Sequence, residues 1–544
     1  MNRIKNWRSA LPWGLAAFAF GAMAQEQSSG SPTPKWGAHI DFEAKPGSKR
    51  TLGEADFFLP LSQDADTLVF GNLRARLDNQ SSYEGNLGAG VRRMFDNGWN
   101  LGAYGYWDHR RSGNGNFFDQ ATLGVEALGR DWDFRANGYL PVGTWAYALA
   151  PESTAAISGA AVQVTTAFRE ERALKGFDAE IGWRAPIFDS EASRQLRLYV
   201  GGYRFSDAGV KVEGPRLRAE LTLDELPWFG KGTRLFLSAE MQDDNARGGQ
   251  SFLGVRLRIP LGKESASPRS LTAQERRMTA PVMRDVDVVT QNRVASTLVE
   301  TATATSGGQA ITLVSSTSTA GNDLDAAVAG AAANSTIIVS GTFNVSGGNT
   351  VVVDGGRTLR AGATTVRTAS GRTAVLTTSA TITGTNVNSS TIQLVNNATL
   401  AGVTVSSAYN NGTGGYAVLL AGGAGNISVR DNTISVAQSG ANAAGALVFG
   451  GNNANVLVSG NTLTATGSGA ATTMTALAAN GANITVSVSG NTLTASGGTT
   501  NNMVWVAGTT TINAGSTGNT RGSGACNGAP ASGTIGFTNG TTCP

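Results

Sequence analysis

Beyond residue 310 the chain carries four acids, Asp323, Asp325, Asp354 and Asp431, and no His, Lys or Glu. Glycoside hydrolysis takes two carboxylates facing each other across the scissile bond. Elimination takes a base, and commonly a Ca2+ held by several acids. Asp323 and Asp325 fall on a predicted cap helix, so Asp431, beside Arg430, stands alone among the repeats. His109 follows Asp108, but no Ser adjoins them, and a lone His at a strand end reads as a solvated rim residue. The only histidines are His39 and His109, and the only cysteines are Cys526 and Cys543, too few and too scattered for a zinc site. No catalytic, cofactor-binding or metal residue is assigned, and no cofactor is predicted. In an exported chain the two cysteines are expected to form a disulfide closing a short C-terminal loop.

The residues with regular spacing are amides. Asn432, Asn461 and Asn491 each precede Thr and follow a β-branched strand, in the units SVRDNTISV, LVSGNTLTA and SVSGNTLTA; Asn519-Thr520 reads as a fourth, degenerate copy. Repeats of about 30 residues with Gly/Asn turns predict a right-handed parallel β-helix over 310–520. The three asparagines would stack as an amide ladder, a structural role rather than a sugar or ion site. Seven to nine coils would make a rod of roughly 35–45 Å. Asn322–Ala332, with Leu324, Ala327, Val328 and Ala331 on one face, suits a helix capping the first coil. Residues 521–544 would form the disulfide-closed far end.

The front of the chain is different in kind. Arg3, Lys5 and Arg8 precede the apolar stretch Leu11–Ala24, which ends Ala22-Met23-Ala24. Residues 1–24 therefore read as a signal peptide, with Ala22 and Ala24 as the small-residue cleavage pattern, and 25–35 as a short periplasmic tail. No later segment reaches the ~18 apolar residues of a spanning helix. Net charge is +3 over 544 residues, which gives no argument for nucleic acid.

Between 36 and 262 the strands are inside out. Val69, Gly71, Leu73, Ala75 and Leu77 alternate with Asn72, Arg74, Arg76 and Asp78, and the pattern recurs to give twelve strands: 36–45, 55–62, 67–78, 83–94, 99–109, 117–127, 132–140, 176–185, 195–205, 215–223, 233–241 and 250–260. An even number of short alternating strands with charge on one face predicts an antiparallel transmembrane barrel, apolar outside. Arg74, Arg76, Glu84, Arg92, Glu126, Arg135, Glu180, Arg184, Arg256 and Arg258 would line the lumen. Tight turns at 63–66, 96–98 and 129–131 alternate with longer polar loops such as 110–116 and 141–175, so both barrel ends lie in the periplasm. Trp99 and Trp132 then suit the inner aromatic girdle, Trp107 and Trp145 the outer one. Residues 263–309 read as a linker. Thr272 and Glu275 form a capping-box pattern that predicts a short helix over Ala273–Thr279, stopped by Pro281. Since the last strand ends in the periplasm, the linker either stays there or runs out through the lumen.

The stretch Gly85–Pro141, GNLGAGVRRMFDNGWNLGAYGYWDHRRSGNGNFFDQATLGVEALGRDWDFRANGYLP, resembles the β-domain of intimin/invasin-type inverse autotransporters. The opening Ile40–Asp78 fits too, and ERRMTAPVMRDVDVV, Glu275–Val289, is similar to the segment after the barrel in many members. The resemblance spans residues 36–290. It implies a twelve-stranded barrel in the bacterial outer membrane, with a linker through the pore and a C-terminal passenger on the cell surface, most simply as a non-enzymatic adhesin. It implies outer-membrane lipid, barrel-assembly machinery and periplasmic chaperones as partners, and a surface receptor or matrix ligand of unknown identity. The passenger departs from the immunoglobulin-like domains of intimin and invasin, so their receptors do not carry over. The competing readings are a surface carbohydrate-active enzyme, and a porin whose β-helix remains in the periplasm.

Overall fold

The computed structural model describes residues 35–224, 232–261, 271–285, 287–387, 389–410, 414–422, 425–468 and 470–543. The predicted signal peptide, with Ala22 and Ala24, lies outside the described residues. Two compact units result: Met1–Leu149 with Arg169–Arg293, and Ala150–Phe168 with Val294–Pro544.

In chain order the first strands are β1 (His39–Lys45), β2 (Leu52–Gln63), β3 (Thr67–Asp78), β4 (Tyr83–Met94), β5 (Asn100–Arg111), β6 (Phe117–Leu128) and β7 (Trp132–Val142). Then come β8 (Ala146–Ala148), β9 (Glu152–Ser158), β10 (Ala161–Ala173), β11 (Lys175–Arg184), β12 (Arg194–Asp207), β13 (Val210–Asp224), β14 (Arg234–Gln242) and β15 (Gln250–Pro260). Twelve of them, β1–β7 and β11–β15, close into one antiparallel barrel in which β1 pairs with β15. The burial pattern is inverted relative to a water-soluble protein. Leu73, Leu87, Leu123, Val200 and Leu253 are more than half exposed, while Arg74 and Arg92 on the same wall are buried. Cross-strand register explains why the charges tolerate burial. Asp56 stands opposite Arg74, Glu54 opposite Arg76, Asp41 opposite Arg258, and Arg135 between Glu126 and Glu180.

Two segments read from sequence as a long loop and a linker with a short helix carry strands. The loop 141–175 holds β8, β9 and β10, with β9 and β10 forming an antiparallel hairpin. The linker 263–309 holds α1 (Ala273–Arg277) and then β16 (Thr290–Thr305). α1 starts on the predicted capping box, with Thr272 and Glu275 bonding reciprocally, and stops short of the predicted Thr279.

The second unit is a parallel β-solenoid of about seven turns; one of its sheets takes a single strand from each. It begins with β17 (Ile311–Ser315), α2 (Leu324–Ala329) and β18 (Thr336–Ser346). α2 buries Leu324 and Val328 against the first coil, opens as a 3-10 turn at Gly321–Asp323, and ends at Gly330, inside the predicted span. The core consists of stacked columns such as Ile427, Val456, Val486 and Ile512. The amide ladder runs beside them. Asn432 Nδ2 donates to Asn461 Oδ1 at 2.9 Å, Asn461 Nδ2 to Asn491 Oδ1 at 3.0 Å, and Asn491 Nδ2 to Asn519 Oδ1 at 3.0 Å. Each Oδ1 also accepts the backbone N–H of the asparagine below it. The turn is set by the residue before each asparagine, which is left-handed: Asp431, Gly460, Gly490 and Gly518. At the far end Cys526 and Cys543 are joined, with Cα atoms 5.3 Å apart, and Ile535 and Phe537 close the core.

Candidate functional site

The lumen is occupied by the chain that follows the barrel. From Leu271 to Val289 this linker runs from the end where β1 begins and β15 stops to the end bearing the longer loops. At entry, Trp36 Nε1 donates to the Glu275 carbonyl at 2.9 Å and Asn100 Nδ2 to that of Gln274 at 2.9 Å. Further along, Arg92 Nη1 donates to the carbonyls of Met278 and Ala280 at 2.8 and 2.7 Å, and Arg258 Nη1 to that of Thr279 at 2.7 Å. Arg74 reaches the Val282 carbonyl and Asn137 the Met283 carbonyl, both at 3.2 Å. Near the exit, Asp285 N–H donates to Asp178, Val288 N–H to Glu84, and Arg110 donates to the Val288 carbonyl.

This is a backbone-reading site. Extended linker residues have no ladder partner, and a buried unpaired carbonyl is costly. The inward arginines supply donors while the same guanidinium stays on a wall carboxylate: Arg92 through Nε on Glu126 at 2.6 Å, Arg258 through Nε on Asp41 at 2.8 Å, and Arg74 through the Nη2 that also serves the linker on Asp56 at 3.0 Å. The fork geometry lets one residue serve both wall and linker. Linker charges are also matched: Arg284 lies 3.0 Å from Asp108, Arg276 lies 3.4 Å from Asp224, Arg277 pairs with Asp133, and Asp287 with Arg50. Apolar anchors complete the grip. Leu271, Met278 and Val282 pack with Trp36, Phe58, Phe70, Tyr104 and Tyr106. Glycine makes room for those rings; a Cβ on Gly88 would sit 2.2 Å from the Tyr106 ring, and one on Gly124 2.1 Å from Tyr104.

Residues 23–212 match the family model described as inverse autotransporter, β-domain. The barrel is an inverse autotransporter β-domain. It places the chain in the bacterial outer membrane. Among solved structures, a chain from a study of in-meso crystallization of membrane proteins aligns at 16% identity and a TM-score of 0.34, covering 47% of this chain and 100% of its own. The β-domain of the Bordetella autotransporter BrkA aligns at 12% identity and TM-score 0.22, covering 41% and 99%. The translocator domain of the autotransporter NalP from Neisseria meningitidis aligns at 11% identity and TM-score 0.20, covering 44% and 93%. A search of curated proteins returns no match.

Within this β-domain Arg74, Arg92 and Arg258 reach the linker backbone and Glu84 accepts from it. Glu126, Arg135 and Glu180 form a wall network, with Arg135 Nη1 2.8 Å from Glu180, while Arg76 pairs with Glu54 at 2.9 Å and Arg256 also pairs with Glu54 at 3.3 Å. Among the described residues Arg184 has no linker partner; it closes on Asp131 at 2.6 Å and on the Phe188 carbonyl. Trp107 and Trp132 are half exposed on the outer surface. Trp99 is half-buried against Phe134, and Trp145 lies in the excursion before β8. His109 and Asp108 face opposite sides of β5: Asp108 is buried against Arg284, and His109 meets Asp119 at 2.8 Å. In the inner turn before β3, the Asp64 carboxylate accepts the N–H groups of Asp66 and Thr67, which holds its pKa below the usual range. Sequence reasoning missed the linker's own Arg276, Arg277, Arg284 and Asp287, and the neutral grips Trp36, Asn100, Tyr104 and Asn137. The last three share the inward phase of Asp108 and Arg135 and were legible from it. Among the described residues no group of three or more His, Cys, Asp or Glu is placed to hold a metal, and no helix is long and apolar enough to cross a membrane.

Proposed function

We propose that the β-domain anchors the chain, passes its C-terminal solenoid through the lumen and displays it on the cell surface, where it acts as an adhesin. The occupied lumen carries this reading. Both barrel ends stop on the side of the short turns, so a following domain needs the lumen to reach the other side, and the linker takes that route with its backbone gripped along the way. The solenoid's role is binding through rows of side chains rather than a reaction. Its one acid within the repeats, Asp431, is exposed at a turn without a second carboxylate beside it among the described residues. Barrel-assembly machinery and periplasmic chaperones bring the chain to the membrane, and the ligand is a surface receptor or matrix component. A site for a specific protease, inserted between the exposed residues Gly307 and Gly308, tests the topology. Protease added to intact cells releases the solenoid on this account; release only after the outer membrane is permeabilised contradicts it. Asp431→Asn separates adhesion from catalysis: cell binding is unchanged for an adhesin, and turnover is lost for an enzyme.

A further inference from the structure

The excursion between β7 and β11 belongs by sequence to the barrel, yet Ala150–Phe168 groups with the solenoid unit. It is a hairpin. β9 and β10 pair from Glu152 opposite Ala167 to Ser158 opposite Ala161, with Gly159 left-handed at the tip. β10 also pairs with β16, the first strand after the lumen segment. Val162 and Val164 of β10, 2% and 0% exposed, enter a small apolar core with Ala302 of β16, Ile338 of β18, and Val366, Ala374 and Leu376 from the hairpin 362–378. Ile311 and Leu313 of β17 pack against it. Arg372 lies over the Phe168 ring at 4.7 Å. Ile337 and Val339 face the main solenoid core, so Ile338 between them points out of it. This second core therefore covers the outward side of the first coil.

A solenoid is held by contacts between neighbouring coils, and its first coil has a neighbour on one side only. Forming that coil is the costly step, because long loops must close before stacking compensates. Here α2 caps the open end of the first coil, and its outward face is covered from sequence some 140 residues upstream of Ala302, in a segment that joins two barrel strands and is therefore made before the solenoid.

We propose that the hairpin Glu152–Phe168 is the template on which the first solenoid coil forms. β10 offers a strand edge to β16 as it leaves the lumen, and Val162 and Val164 offer an apolar patch to Ile338. Folding then starts at this coil and propagates toward Cys526 and Cys543. The inference rests on the export reading above, and the experiment separates the two. Full-length chains with the protease site at Gly307–Gly308 are followed on intact cells by pulse–chase, scoring barrel assembly, arrival of the solenoid outside, and its resistance to a non-specific protease. The variants are Val162→Asp with Val164→Asp, and a loop in which residues 153–167 are replaced by a short Gly/Ser linker. Barrel assembly is unchanged, and a resistant solenoid accumulates about tenfold more slowly per assembled barrel, the behaviour of a lesion in a folding nucleus. Parental kinetics overturn the proposal, including the case in which only the final resistance falls, which marks a static contact. If the shortened loop lowers the barrel level, the double point variant decides. A parental chain whose solenoid never reaches the outside sinks the export reading instead.

Discussion

Replacing Asn461 by Ala removes the centre of the amide ladder. The side-chain Oδ1 accepts from Asn432 N–H and Nδ2, and the two hydrogens of its Nδ2 are shared among Val429 O, Ser459 O and Asn491 Oδ1. Asn461 is 1% exposed and Asn432 2%, so water does not restore these contacts. The Asn432 N–H loses its acceptor outright, at about 1–3 kcal/mol, and the other bonds are worth about 0.5–1.5 kcal/mol net each; allowing for non-additivity, the loss is about 4 kcal/mol. With a urea slope of about 2 kcal/mol/M, the solenoid's midpoint falls by about 2 M. The assay is pulse proteolysis across a urea series on the full chain in detergent, following the solenoid fragment because two units do not unfold as one. Thr462→Ala, at the exposed next position, moves the midpoint by less than about 0.3 M, as surface changes do. A shift that small for Asn461→Ala would refute the ladder as a stabilising element.

Val456, Val458, Val486 and Val488 lie in adjacent central strands; their replacement by Pro removes ladder donors and blocks propagation, so surface display stalls with the barrel still assembled, as surface immunoblots will read. Arg92→Ala frees the Met278 and Ala280 carbonyls and strips Glu126 of its closest partner, a lesion of about 3–5 kcal/mol for a buried pair; the linker loosens, and single-channel conductance of the purified chain in planar bilayers rises above that of the parent. Cys526→Ser with Cys543→Ser opens a link of sequence separation 17 and costs about 3 kcal/mol on loop-entropy grounds; protease trimming from the C-terminus of the purified chain then exposes the last coils while the Asn432–Asn461 region persists.

The strands of the barrel were legible because each has a single period-two reading with lipid on one face and charge on the other. The solenoid was legible from Asn432, Asn461 and Asn491, since an amide that recurs at a fixed interval after a β-branched strand fits a stacked ladder and little else. The hairpin of β9 and β10 was not. Val162, Val164 and Thr166 alternate clearly, but no barrel position was left for them, and their partner Ile338 lies far along the chain. β16 escaped for a related reason: most of its side chains are exposed, so periodicity carries little signal. The linker's place in the lumen follows from topology, whereas its individual grips do not. Arg92 and Arg258 bind backbone carbonyls, which every residue possesses, so the sequence of the linker does not mark where they close.

The central claim is that the chain after Val289 leaves through the barrel to the outside. An epitope inserted at the exposed Gly508–Thr509 turn and stained with antibody on intact cells tests it most directly. Staining of unpermeabilised cells at the level seen after permeabilisation is the predicted result. Staining that appears only once the outer membrane is opened would contradict the account.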